Sequence, residues 1–75
     1  MKSIVLKFKG INGKFPAVYT KKIIEILGNP EVSAEVDEGK PSEDVLRVLQ
    51  SLGYSVEIMK RPDGTVTLRA GREKK

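Results

Sequence analysis

Two glycines and a lysine stand ahead of a proline in Gly10-Ile11-Asn12-Gly13-Lys14-Phe15-Pro16, the stretch of this chain best suited to chemistry. Glycines before a helix N-terminus can turn backbone N–H groups toward an anion or a developing negative charge. Lys14 adds a full positive charge there, and Lys21 and Lys22 follow within two helical turns. A simple turn from strand to helix accounts for the same glycines without any ligand. The Gly-Lys-Ser/Thr ending of a phosphate-binding P-loop is absent. The second group is carboxylate: Asp37 and Glu38, with Glu43 and Asp44 nearby. Clustered carboxylates can bind a hard cation or share acid and base roles. Here the spacing of a calcium loop is missing, and acids at the start of a helix are explained by its positive end. No metal site and no cofactor are therefore assigned.

What the chain lacks narrows the chemistry further. Its 75 residues include no Cys, no His and no Trp. Without Cys there is no disulfide framework, thiolate nucleophile, persulfide carrier or thiolate-bound zinc. Without His there is no Ser-His-Asp triad and no imidazole base. Any chemistry of its own must use Asp, Glu, Lys, Tyr, Ser or Thr. The N-terminal apolar run is too short for a signal peptide or a membrane span, so a cytoplasmic protein with no membrane association is expected. Few amide residues beside many Lys, Glu and Ile lean toward a thermophilic source.

The net charge of +4 is unevenly spread. Residues 1–24 hold six lysines and no acid, residues 31–44 are acidic, and the C-terminal end turns basic again. Such poles suit docking on a protein of complementary pattern, contact with phosphate, or mere solubility. Gly10-Ile11-Asn12-Gly13 matches the GxxG that clamps nucleic-acid backbone in KH domains. In that module it joins two helices, whereas here it follows a strand. Nucleic-acid binding by stacking is disfavoured because aromatics are 5% of the chain, with Phe8 and Tyr19 assigned to the core.

The elements that would position these groups follow from periodicity. Ile4, Leu6 and Phe8 alternate with Val5, Lys7 and Lys9 as a first strand. Pro16 suits the first turn of a helix, whose buried face is expected to carry Tyr19, Ile23, Ile26 and Leu27, ending at Gly28. Val32, Ala34 and Val36 make a second strand. Asp37-Glu38-Gly39-Lys40-Pro41 reads as a polar turn, with Ser42 as N-cap of a second helix. That helix buries Val45, Val48, Leu49 and Leu52 and ends at Gly53. Tyr54, Val56 and Ile58 mark a third strand, Arg61-Pro62-Asp63-Gly64 a turn, and Val66, Leu68 and Ala70 a fourth strand. The chain thus reads as α+β: a two-layer sandwich of order βαβαββ, with two helices on one face of a mixed four-stranded sheet. Residues 1–70 form a single domain, and residues 71–75 a basic flexible tail.

On these residues a family resemblance rests. Gly10-Ile11-Asn12-Gly13-Lys14-Phe15-Pro16 followed by Lys21 resembles, without a gap, the Gly-Leu-x-Cys-Pro-x-Pro-x-x-x-x-Lys signature of the TusA/SirA sulfur-carrier family. Asp37-Glu38 resembles the family's acidic pair, Asp44-Val45 the Asp-Ile opening its second helix, and Gly53-Tyr54 the Gly-His before its third strand. The resemblance spans about residues 4–70. It implies a fourth strand lying antiparallel between the second and third. It also implies a sulfurtransferase whose Cys accepts a persulfide, but that position is Gly13, and the first Pro is Lys14. The catalytic assignment does not carry over, so no catalytic residue is assigned. Whether the chain is an enzyme stays open, leaning against. What the resemblance leaves is a docking surface for a protein partner of a sulfur-relay or redox system, or for a small anion, through Gly10, Asn12, Gly13, Lys14, Pro16, Lys21 and Lys22. The alternative is a small basic RNA- or DNA-binding domain, since the fold order also resembles the C-terminal domain of bacterial translation initiation factor three.

Overall fold

A computed structural model describes residues 3–11, 13–28 and 30–71; Asn12, within the candidate loop, and the tail residues 72–75 lie outside them. Strand β1 (Ser3–Lys7) leads through a loop into helix α1 (Phe15–Leu27). Strand β2 (Glu31–Asp37), helix α2 (Lys40–Ser51) and the hairpin of β3 (Ser55–Lys60) and β4 (Thr65–Gly71) follow. The sheet order is β1-β2-β4-β3, with β1 parallel to β2 and β4 antiparallel to both neighbours. The βαβαββ sandwich is the one expected, including the last strand between the second and third. β4 extends through Gly71, which pairs with Ser55.

Alternation in the strands becomes a one-sided core. Val32, Ala34 and Val36 of β2 and Val66, Leu68 and Ala70 of β4 are buried against Val45 and Leu49 of α2 and Ile24 of α1. Each valine, leucine or isoleucine among them contributes about 1.5–3 kcal/mol on leaving water. Tyr54 closes one end of the core, where its buried hydroxyl donates to the Pro30 carbonyl at 2.6 Å. β4 is buried on both faces over Thr65–Leu68, because it lies in the middle of the sheet, flanked in register by β2 and β3.

Three expectations are corrected. The buried face of α1 carries Pro16, Ala17, Thr20 and Ile24, whereas Tyr19 is 39% and Ile26 72% exposed. Apolar residues occur on both sides of this helix, and the narrow Ala17 and Thr20 give the closer approach. Thr20 tolerates burial because its hydroxyl donates to the Pro16 carbonyl at 2.7 Å. Tyr19 is accordingly not a core residue, although Phe8 is. Helix α2 begins at Lys40 with Gly39 as its N-cap. Ser42 lies inside the first turn and donates its hydroxyl back to the Gly39 carbonyl at 2.8 Å, so it caps nothing. Pro41 is the reason for the early start, since a proline fits the first turn.

Candidate functional site

The stretch between β1 and α1 is held from below by Asp37, the last residue of β2. The Gly10 N–H donates to Asp37 Oδ2 at 3.0 Å, and the Ile11 N–H to the Phe8 carbonyl at 2.9 Å. Lys9, one residue earlier, reaches across the open sheet face to the β3–β4 turn. Its Nζ lies 2.6 Å from Thr65 Oγ1, 3.4 Å from the Asp63 carbonyl and 3.8 Å from Asp37 Oδ1. The loop therefore leaves the sheet along a defined path set by contacts distant in sequence.

Gly13 has φ +81, a conformation side-chain-bearing residues rarely adopt, with open space where a Cβ would stand. Lys14 follows as the N-cap of α1 and makes no side-chain cap. Pro16 is buried in the first turn, so its ring shapes the helix entry from inside. Gly10, Gly13 and Lys14 are exposed together at this end of the molecule, and Lys21 and Lys22 are exposed further along α1.

The outward side of α1 is apolar as well as basic. Phe15 and Tyr19, one turn apart, stack with ring centroids at 5.5 Å and planes at 20°. Both meet the buried Phe8 edge-on, at 6.3 and 6.0 Å. Phe15 is 53% and Val18 55% exposed, and Ile26 continues the same face. Helical spacing alone places Tyr19 and Ile26 inward and so hides this surface. The signal that identifies it is the competing Ala17, Thr20, Ile24 spacing, which also fits one helical face.

The carboxylate group divides among structural tasks. Asp37 holds Lys9 and Gly10, and Asp44 lies 3.8 Å from Lys40 one turn away. The Glu38 N–H donates to the Gly64 carbonyl at 2.9 Å, which joins this segment to the hairpin. Among the described residues no three Asp or Glu side chains converge as a metal-holding group. Nor is any described helix long and apolar enough to cross a membrane.

Comparisons with known proteins agree with this architecture. The chain superposes on the crystal structure of a SirA-like protein from Desulfitobacterium hafniense with a TM-score of 0.78, covering 92% of this chain and 97% of that one. Sequence identity over the match is 19%, so the likeness is one of fold. No protein-family model matches the chain. No curated protein matches it either.

Proposed function

We propose that this chain is a SirA/TusA-like binding module without persulfide chemistry of its own, which docks on a protein partner of a sulfur-relay or redox system. The observation that carries this reading is the exposed Phe15–Tyr19 stack beside the Gly10–Lys14 loop, in the frame of a sulfur carrier's signature. Aromatic rings are favoured anchors of protein interfaces, and they bind best in a socket that excludes water around them. Lys22, three residues after Tyr19, shares the face of the rings and Lys14 precedes Phe15, while Lys21 lies further round the helix. The complementary surface is therefore an apolar socket with an acidic rim. Gly13 offers no side chain to hold sulfur, so docking and transfer are separated.

The test is a titration of the chain against a co-encoded DsrE-like protein or a cysteine desulfurase, followed by calorimetry. Binding is expected, weakened about tenfold or more by Tyr19→Ala, the usual scale for an interface anchor. Lys22→Glu should weaken it too, and labelled sulfur from the desulfurase should leave the chain unlabelled. Stoichiometric covalent labelling, or binding unaffected by both substitutions, would reject the proposal.

Exposure of Phe15 and Tyr19 also favours a second reading, since basic side chains beside open rings are what single-stranded nucleic acid requires. A gel shift that appears at low salt, fades as salt rises and is lost in Tyr19→Ala would select this reading.

A further inference from the structure

Among the described residues the outer edge of β3 is the longer of the two free edges of the sheet, and its hydrogen-bonding groups can be assigned. In the β3–β4 turn the Arg61 N–H donates to the Thr65 carbonyl at 2.8 Å, and the Gly64 N–H to the Arg61 carbonyl at 3.2 Å. Gly64 has φ +87, so Gly64 and Thr65 together oppose Arg61 in a glycine bulge. Arg61 thus bonds inward to β4. Bonded and non-bonded pairs alternate along an antiparallel ladder. With Lys60 paired to Val66, Ile58 to Leu68 and Val56 to Ala70, these three β3 residues direct their N–H and C=O groups away from the sheet. The edge has no proline or bulge within it, and Ile58 and Met59 are 47% and 43% exposed. Such an edge is a template for another strand.

We infer that β3 pairs antiparallel with β3 of a second copy of this chain, about a two-fold axis through Ile58. The argument is self-complementarity. Centred on Ile58, the register sets Ile58 against its own copy and Val56 against Lys60, so every outward-facing residue meets an outward-facing residue. The helix-covered faces of both copies stay on one side, and the exposed Ile58 side chains cover each other. On the open face Glu57, which lies 3.9 Å from Arg69 of its own chain, comes diagonal to both Glu57 and Arg61 of the second copy. Charge on this face therefore balances, and the register rests on the apolar Ile58 contact. The neighbouring registers are worse. Centring on Glu57 opposes two carboxylates, and centring on Met59 sets Pro62, which has no N–H, against Val56. Edge pairing buries little surface, so the dimer is weak and forms at high protein concentration. It leaves β1, the Gly10–Lys14 loop and the outer face of α1 uncovered on each copy, and it does not depend on what docks there.

Sedimentation equilibrium of the full chain, from micromolar to millimolar concentration, tests the inference. A monomer–dimer equilibrium is expected. Ile58→Lys, which sets two like charges on the axis and removes the apolar contact, should weaken it about tenfold or more. Its thermal midpoint should hold when measured on dilute monomer. Because the chain has no cysteine, single substitutions report the geometry. Ile58→Cys should be cross-linked between copies by a short bis-maleimide, and Val5→Cys on the opposite edge should not. A monomer at millimolar concentration, a dimer indifferent to Ile58→Lys, or cross-linking through Val5→Cys would overturn it. Capture of an added Val-Glu-Ile-Met peptide by β3 without any dimer would equally overturn it in favour of a foreign strand.

Discussion

Gly13, which the signature resemblance sets at the place of a sulfur carrier's thiol, has a φ of +81, a conformation that favours glycine. A left-handed backbone costs an L-residue with a Cβ about 1–2 kcal/mol. Nothing within 4 Å would obstruct the Cβ itself. Gly13→Cys is therefore expected to fold, destabilised by about 1–2 kcal/mol in denaturant titration. Gly13→Ala should lose about as much, because the cost lies in the backbone and not in the sulfur. Unchanged stability in both variants would show that the loop does not need the left-handed conformation.

At the scale of elements, α1 and the β3–β4 hairpin show how neighbours decide what a local pattern leaves open. Tyr19, Ile26 and Ala17, Thr20, Ile24 each satisfy helical spacing, and side-by-side packing with α2 selects the second set. In the hairpin, Asp63 is held below the usual carboxylate range by hydrogen bonds from the Thr65 hydroxyl and N–H, the latter at 3.0 Å. The charges of Lys9 and Arg61 add to this. Since the folded pKa is depressed, the contribution to stability is complete above the unfolded value near pH 4 and is lost as pH falls through the folded one. Asp63→Asn should therefore flatten part of the acid limb of a stability–pH curve and leave neutral pH to the remaining hydrogen bonds. An acid limb identical to the parent's would refute that role.

Across the whole molecule, Asp37 and Lys9 join the loop, the end of β2 and the hairpin turn. Residues 27 positions apart meet in the Gly10–Asp37 hydrogen bond. Asp37 is partly exposed, which keeps the energy modest. Asp37→Ala should cost about 1 kcal/mol and abolish hydrogen-exchange protection of the Gly10 amide, while the amides of β4 keep theirs. Retained protection at Gly10 would show that the loop path is set elsewhere.

The sequence by itself determined the order of elements, the two-layer class and the one-sided strands, because alternation, glycine stops and Pro16 act over a few residues. It also determined that no thiol chemistry is available, since composition alone excludes it. The position of β4 inside the sheet followed only from resemblance, and the structure agrees. Only tertiary structure decided the face that α1 buries, the exposure of the Phe15–Tyr19 stack and the use of Asp37 as an anchor. Those depend on contacts between segments far apart in the chain. Helical periodicity says that an apolar face will be buried, but when two faces qualify, the shape and size of the neighbouring surface make the choice.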